Sequence, residues 1–447
     1  MEKNRSADTT VLESPSTAAK RILFATFPAD GHFNPLTGLA VHLQKLGHDV
    51  RWYTSTSYAD KLTRLGIPHF PLKRAKDISG NPDELFPQRK DFKGKIKKLT
   101  FDLTQVFVLR GPEYFEDIKE IRRTFPFDAV VCDCAFTAIP YLAGKLDVPV
   151  LSIGVLPLIE TSKDLPPVGL GLAPSSTFWG RRKQDALRFI ADRILFRKPN
   201  RLMASLLREH GVGMEHSNLF DACARTSTML LQIGTPGFEY RRSDLSRNVR
   251  FIGALLPHSS ANKPVPWSDE KLARYKSVIL VTQGTVEKDV SKLLMPTLEA
   301  FQNSDYLVVM TTGGSRTREL REKYPCDNIV IEDFISFSDI MPHASVYITN
   351  GGYGGVMLSI KHGLPMVAAG VHEGKNEINA RVGYFKIGID LGTERPTPSQ
   401  LRNAVEKVLT DQTYSGHIQK LNGEFANYDP EELCAQYLEE ALANRNV

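Results

Sequence analysis

Short apolar runs alternate along the chain with longer segments in which apolar residues recur at helical spacing. A short continuous apolar run is typical of a buried strand in a parallel sheet, and the helical spacing is typical of an element that covers it. Asn34 and Pro35 suit the start of the first helix, and Gly47 suits its end. In the first half the predicted strands are residues 21–27, 49–53, 128–132 and 149–153, and the predicted helices are residues 35–46 and 135–146.

The alternation stops at residues 257–266, which are rich in turn formers, and restarts after them. The chain is therefore predicted to fold as two α/β halves joined by this linker. We place a mobile tail at residues 1–19, one domain at 20–252 and the second at 253–425. In the second half the predicted strands are residues 277–281, 306–310, 328–331, 346–349 and 366–368, and the predicted helices are residues 290–302, 356–362, 398–410 and 431–443.

Two segments of the first half are less regular. Residues 88–110 are basic and are predicted to be helical and solvated. Residues 160–250 contain a predicted mobile loop at 166–171, rich in proline and glycine, and amphipathic helical stretches at 184–194 and 201–210.

Composition narrows the function classes. The 447 residues are 42% hydrophobic and 24% charged, which is ordinary for a globular protein. A net charge of +5 is small for this length, so nucleic acid is not an expected partner. The longest apolar runs are too short to span a bilayer, and the polar first 19 residues lack a signal core. The five cysteines are scattered, as reduced thiols are, so we expect a cytoplasmic protein.

Two candidate catalytic residues follow predicted strands. His32 lies in the loop 28–34, ahead of a helix N-terminus that favours a neutral, proton-accepting imidazole. Asp133 follows the strand at 128–132 and would face His32 if the two strands are neighbours, where it would fix the tautomer and stabilise the protonated ring. Each residue also has an ordinary structural interpretation: His32 as a loop residue bonded to backbone, and Asp133 as a helix N-cap.

A glycine cluster between a strand and a helix, residues 349–355, lets a ligand approach the backbone, and the following helix N-terminus attracts phosphate. The alternative is a tight glycine turn. Residues 282–285, Thr-Gln-Gly-Thr, leave another strand and could offer hydroxyl and N–H groups to the same anion, or could form an ordinary turn. Neither segment is a G-x-G-x-x-G or P-loop motif, and the chain has no D-x-D metal motif and no G-x-S-x-G motif.

These segments together resemble the sugar-nucleotide-dependent glycosyltransferases with the GT-B fold, in the macrolide and natural-product branch of the UDP-glycosyltransferase superfamily. Residues 27–35 resemble the family's G-H-x-x-P segment, and residues 131–134 resemble the segment that carries its supporting aspartate. Residues 282–285 resemble its first phosphate loop, and residues 334–379 resemble its donor signature. The resemblance covers the chain from Arg21 onward and implies two facing Rossmann-like domains, with a final segment, 426–447, that packs back on the first.

The resemblance implies roles for individual residues. His32 would be the catalytic base and Asp133 its partner. Asn350 stands where many members have a phosphate-binding histidine, and Gly354-Gly355 stand where Asn-Ser is usual. Lys375-Asn376 stand where plant members have an acidic residue and a glutamine that hold sugar hydroxyls. The expected acceptor contacts are Phe33, Phe136 and Leu156, and the expected donor contacts are Gly31, Thr282, Gly284, Thr285, Phe334, Ile335, Thr349, Asn350, Gly351, Gly352, Gly354, Gly355, Glu373 and Asn376.

The implied activity is inverting transfer of a hexose, from UDP-glucose or another UDP- or dTDP-sugar, to a hydroxyl of a hydrophobic small molecule. No metal or other cofactor is expected, because the helix N-terminus and backbone amides would take its place. One alternative is a binding or accessory protein that keeps the fold without the chemistry, although the presence of both His32 and Asp133 argues against it. A nicotinamide-dependent oxidoreductase is a further alternative, and the missing G-x-G-x-x-G motif counts against it.

Overall fold

The computed structural model describes residues 19–213, 218–258, 266–284 and 287–444. Two parallel β-sheets, one in each half of the chain, form the frame of this part of the protein. Helices cover the sheets, so the strands are almost entirely buried, as the continuous apolar runs predict. Within the described ranges, none of the helices combines the length and apolar character that a membrane span requires.

The first sheet has seven strands in the order β3-β2-β1-β4-β5-β6-β7, and each neighbouring pair is parallel. Strands β1 and β4 are direct neighbours, with Ala25 opposite Cys132. The carboxyl ends of both strands therefore meet at one edge of the sheet. The strands are β1 (Arg21–Ala25), β2 (Asp49–Thr54), β3 (His69–Pro71), β4 (Ala129–Asp133), β5 (Val150–Gly154), β6 (Met229–Gln232) and β7 (Val249–Phe251).

Helices of the first half pack on both faces of this sheet through their apolar sides. The helices are α1 (Asp30–Phe33), α2 (Leu36–Lys45), α3 (Ala59–Arg64), α4 (Pro82–Leu85), α5 (Lys95–Asp102), α6 (Arg110–Thr124), α7 (Ile139–Lys145), α8 (Phe178–Ile190), α9 (Arg197–Glu209) and α10 (Leu219–Thr226).

The second sheet has six parallel strands in the order β10-β9-β8-β11-β12-β13. Its strands are β8 (Ser277–Thr282), β9 (Tyr306–Thr311), β10 (Ile329–Glu332), β11 (Val346–Thr349), β12 (Met366–Ala368) and β13 (Gly388–Asp390). Its helices are α11 (Leu294–Phe301), α12 (Thr317–Lys323), α13 (Phe337–Ile340), α14 (Tyr353–Lys361), α15 (Lys375–Tyr384), α16 (Pro398–Thr410), α17 (Gln412–Phe425) and α18 (Pro430–Ala443).

The last helix, α18, returns to the first half of the chain and packs against α2. A side chain larger than glycine at position 38 would collide with Leu256 and Glu431, so Gly38 allows this close approach. His42 and His48 face glutamates of α18, with His42 Nε2 lying 3.3 Å from Glu432.

Three predictions about local structure are wrong. Asn34 has helical backbone angles, φ −59° and ψ −43°, so it does not cap α2, and His32 lies inside the short helix α1 instead of in a loop. Residues 88–110 are neither fully helical nor solvated. Most of their basic residues precede an apolar stretch in which Leu103, Val106 and Val108 are buried in a π-helical turn. Arg110, which follows that turn, is itself buried.

Candidate active site

His32 and Asp133 meet at the shared carboxyl edge of β1 and β4. His32 Nδ1 lies 2.7 Å from Asp133 Oδ1, within hydrogen-bond distance. Because an ionised carboxylate can only accept, this bond places the ring proton on Nδ1 and leaves the lone pair on Nε2. The His32 side chain keeps 14% of its surface exposed, whereas the Asp133 side chain is fully buried. The pair therefore has the arrangement of a general base held by a carboxylate.

Asp133 also organises the backbone around the histidine. Its Oδ2 accepts the N–H of Phe27 at 2.7 Å, and its Oδ1 accepts the N–H of Ala135 at 2.9 Å. Asp133 is thus the partner of His32 and also closes the turn that follows β4. The alternative interpretation of Asp133 as a helix N-cap is wrong, because α7 begins at Ile139 with Ala138 at its N-cap. The ring of Phe27 packs beside the imidazole, with 5.3 Å between the ring centroids.

The two glycine-containing loops of the second domain lie side by side, because Thr282 and Thr349 are opposite each other on the neighbouring strands β8 and β11. Each threonine hydroxyl accepts the N–H of the residue two positions later, which closes the turn. The side-chain amide of Asn350 donates to the carbonyl oxygen of Gln283 and joins the loops. Thr285, an expected donor contact, lies outside the described residues.

Two glycines shape the N-terminus of α14. Gly351 has φ +89°, and a Cβ there would collide with Asn379. At Gly354 a Cβ would meet nothing within 4 Å, so this first turn is open. The unpaired N–H groups at a helix N-terminus and its positive dipole attract phosphate, and glycine lets the ligand approach.

A cavity of about 440 Å³ separates the His32 side from these loops. Volumes of this size are typical of small-molecule sites. Residues of both domains line the cavity, so a ligand of the second domain would lie in front of the histidine. Among the lining residues are Gly31, His32, Val155, Leu156, Ile233, Leu255, Leu256, Thr282, Gly284, Thr311, Gly313, Phe334, Ile335, Tyr353, Gly354, Gly355 and Met357.

The expected acceptor contacts separate into two groups. Leu156 lines the cavity. Phe33 and Phe136 are completely buried, however, and stack on Tyr58 and Tyr114 with ring centroids 4.3 and 4.7 Å apart. Both rings belong to the hydrophobic core, so we correct their expected role from acceptor contact to packing.

Phe334 occupies the rim of the cavity with 69% of its surface exposed, and Ile335 beside it is buried. An exposed aromatic ring at a cavity rim offers a flat face on which a nucleobase can stack. Thr311, at the end of β9, and Gly313, in the turn after it, also line the cavity. This contact was not predicted from the sequence. The Thr-Thr-Gly-Gly run that follows the strand was the available signal.

Glu373 and Asn376 make other contacts in this structure. Glu373 pairs with Lys375 at 2.7 Å. The Asn376 amide donates to the carbonyl oxygen of Gly169 in the first domain at 2.9 Å. The loop at residues 166–171 is thus held against α15.

Glu377 and Arg381 of α15 complete this link between the domains. Glu377 Oε1 accepts the N–H groups of Gly169 and Gly171 at 2.9 and 2.7 Å. Arg381 donates to the buried carboxylate of Glu239 at 2.7 Å. Burial acts to raise the pKa of Glu239, but the nearby guanidinium groups of Arg381 and Arg242 outweigh it and hold that pKa below its usual value. The ion pair therefore fixes α15 against the first domain.

Comparison with known proteins identifies the family. Residues 295–440 match the family described as Erythromycin biosynthesis protein CIII-like, C-terminal domain. The chain is 35% identical to 4'-demethylrebeccamycin synthase of Lentzea aerocolonigenes over an alignment of 412 residues. This alignment covers 92% of this chain and 96% of that protein. The chain is 31% identical over 447 residues to UDP-glycosyltransferase 2 of Phaeomoniella chlamydospora, with 96% and 97% covered. The chain belongs to the UDP-glycosyltransferase superfamily.

The fold of this glycosyltransferase agrees with that membership. The structure of CalG4, the calicheamicin glycosyltransferase, superimposes with a TM-score of 0.75 at 20% identity and covers 96% of this chain and 99% of that one. The predicted GT-B fold and the prediction of a glycosyltransferase are confirmed. In the part of the glycosyltransferase that the structure describes, histidine, cysteine and acidic side chains form no group of three that could hold a metal ion.

Proposed function

We propose that this glycosyltransferase moves a hexose from UDP-glucose to a hydroxyl group of a hydrophobic natural product, with inversion at the anomeric carbon. The observation that carries the proposal is the His32–Asp133 pair, which lies across the cavity from the glycine-rich N-terminus of α14. A base for the acceptor and a site for the leaving diphosphate would thus face each other.

The proposed step begins with an acceptor hydroxyl beside His32 Nε2. The imidazole takes the hydroxyl proton as the oxygen attacks the anomeric carbon from the face opposite the diphosphate. The bond from this carbon to the diphosphate oxygen breaks with its electron pair, and UDP leaves. Asp133 stabilises the imidazolium formed, and an α-linked donor yields a β-glycoside.

The donor would lie on the second domain. Phe334 would stack on the nucleobase, and the backbone of Gly284, Gly351, Gly352, Gly354 and Gly355 would meet the diphosphate. The N-terminus of α14 would take the role of a metal ion as negative charge develops on the leaving group. UDP as the nucleotide is supported by the name of the relative from Phaeomoniella chlamydospora, and dTDP is the alternative.

The acceptor would enter the cavity beside Leu156, Val155, Leu255 and Leu256, whose side chains favour an apolar molecule. Two matched proteins, named for demethylrebeccamycin and calicheamicin, support a natural-product acceptor. Mass spectrometry of reactions with UDP- and dTDP-sugars and with phenolic, macrolide and sterol acceptors tests the proposal. A product heavier by one hexose supports it, and the absence of any glycoside or sugar-nucleotide turnover across the panel contradicts it.

A further inference from the structure

One helical segment of the first domain carries large apolar side chains on its solvent side. The segment consists of α8, a π-helical turn at Ala191–Leu195 and the start of α9. Its inner side is buried at Gln184 and Ala191. The exposed fractions on the outer side are 64% at Phe178, 79% at Trp179, 65% at Phe189, 49% at Ile190 and 70% at Ile194.

These side chains form two groups on the outer side of the segment, about 16 Å apart along the helix axis, which we together call the α8 patch: Phe178 with Trp179, and Phe189 with Ile190 and Ile194. At 3.6 residues per turn, positions 178 and 189 lie on one stripe of α8 and positions 179 and 190 lie on the adjacent stripe. Phe178 and Trp179 meet edge to face, with 5.3 Å between their ring centroids. Exposed apolar residues on a protein surface usually stand singly. Grouped aromatic and branched side chains therefore indicate a binding face.

The segment that carries the α8 patch has an excess of positive charge, although Asp185 pairs with Arg182 and Arg188. Residues 181–201 contain eight arginines and lysines against two aspartates, an excess of six in a chain whose net charge is +5. Arg182 and Arg193 lie beside the patch rings, with their guanidinium carbons 5.5 Å from the Phe178 centroid and 5.8 Å from the Phe189 centroid. Most of these basic side chains are exposed.

We propose that the α8 patch binds the surface of an anionic lipid bilayer. Aromatic rings and alkyl chains of such a helix enter the boundary between headgroups and acyl chains, while arginine and lysine side chains contact the anionic headgroups. A second copy of this chain is disfavoured as the occupant, because the same excess of positive charge would face itself. The proposal is independent of the transfer reaction and of its donor.

The position of the patch connects it with the cleft. From the inner side of α8, Gln184 donates to the carbonyl oxygen of Asp164 at 3.1 Å, and Arg188 donates to that of Leu165. Leu165 and Leu156 line a smaller cavity of about 180 Å³, and Leu156 also lines the main cavity. The inner side of α8 thus holds the segment that lines the smaller cavity beside the main one.

Vesicle flotation of the full-length chain tests the proposal. Vesicles of phosphatidylcholine alone are compared with vesicles that also contain phosphatidylglycerol, at low and high salt. We expect binding to the anionic vesicles alone and weaker binding as salt increases. Trp179→Ser with Phe189→Ser, and separately Arg182→Gln with Lys183→Gln, should each weaken binding by roughly tenfold or more.

Matched controls lie on other surfaces. Leu46 is 51% exposed at the end of α2, and Arg318 and Lys323 are exposed on α12. Leu46→Ser, and Arg318→Gln with Lys323→Gln, should leave vesicle binding unchanged. Thermal melting verifies that each variant is folded, and the charge variant, which leaves the apolar residues in place, provides the test if the serine variant does not fold.

Tryptophan fluorescence gives an independent measurement. Trp52 is fully buried and Trp179 is the most exposed of the three tryptophans. Emission should shift to shorter wavelength on anionic vesicles, and Trp179→Phe should remove the shift while flotation persists. Absence of flotation by the wild-type chain overturns the proposal, as does equal flotation by the patch variants. A dimer seen by light scattering, lost in the patch variants and unaccompanied by vesicle binding, would overturn it in favour of a protein interface.

Discussion

His32 Nδ1 and Asp133 Oδ1 lie 2.7 Å apart, although the two residues are separated by 101 positions in the chain. The parallel pairing of β1 with β4 brings them together, and burial of the carboxylate leaves it no water to compete for the bond. The imidazole is therefore held in one orientation and one tautomer, with Nε2 free for the acceptor.

Asp133→Asn should lower kcat by roughly 10²–10⁴-fold with little change in donor affinity, because the carboxylate acts on the imidazolium formed in the reaction. The variant should also lose about 1–3 kcal/mol of stability. The NH₂ group of the new asparagine would face either the Phe27 N–H or the His32 Nδ1–H, and that hydrogen bond would be lost. Steady-state kinetics and a thermal melt measure the two effects. A lower melting temperature with unchanged kcat would mean that Asp133 serves only to close the turn after β4.

Asn350 joins the two glycine-containing loops through the Gln283 carbonyl, and its direct contact with the diphosphate stays a prediction. Asn350→Ala should raise the KM for the sugar nucleotide by roughly tenfold. The buried carbonyl oxygen of Gln283 would lose the N–H group that it accepts, and the two loops would no longer be joined. Asn350→Asp should raise the KM further, because a carboxylate can neither donate to the carbonyl nor tolerate a nearby diphosphate. Steady-state kinetics give the KM of each variant, and titration calorimetry with UDP-glucose gives its affinity. Equal affinities in the two variants would contradict the bridging role.

Chelation should leave the reaction unaffected. We expect turnover in EDTA within about twofold of the untreated rate, because in the proposed mechanism the α14 N-terminus and the glycine backbone would stabilise the leaving diphosphate. The comparison needs protein dialysed against the chelator and assayed with and without added Mg²⁺ or Mn²⁺. Loss of activity in EDTA that is restored by either cation would show that the diphosphate is neutralised differently.

Glu239 and Arg381 give the stability a defined pH dependence. The pKa of Glu239 is below its usual 4.5 in the folded chain, so its contribution is complete above about pH 4.5 and is lost as the pH falls through the lower folded value. Melting temperatures measured as the pH falls below 4.5 should decline more steeply for the wild type than for Glu239→Gln. At neutral pH, Arg381→Met should cost up to about 3–5 kcal/mol, with Arg242 retaining part of the interaction. Parallel pH profiles of wild type and Glu239→Gln would contradict this assignment.

Much of the fold was predictable because buried parallel strands produce a strong local pattern. The runs at β1, β8, β11 and β12 contain almost nothing but apolar residues, and their bounds were predicted to within two residues. Helix α15 was missed, because two of its buried positions are Asn379 and Arg381. Those polar residues are buried through contacts with the Gly370 carbonyl and the Glu239 carboxylate, which no local pattern reveals.

The candidate site also contains residues that the strand pattern predicts and contacts that it does not. Asp133 ends β4, the two glycine loops follow β8 and β11, and His32 lies in the segment that follows β1. The carboxyl ends of neighbouring parallel strands meet at one edge of a sheet, so topology brings these residues to the cleft. Phe33 follows His32 directly, but one residue turns a helix by about 100°, and its ring points into the core. The partners of Asn350 and Asn376 come from distant loops, and their hydrogen bonds depend on tertiary packing that the sequence pattern does not encode.

His32→Ala tests the central claim most directly, when initial rates of glycoside formation are measured beside the Kd for UDP-glucose. The account predicts a rate lower by about 10²–10⁴-fold, with the Kd unchanged because the proposed donor contacts are concentrated in the second domain. A rate close to that of the wild type would contradict it, since His32 would then serve only to pair with Asp133.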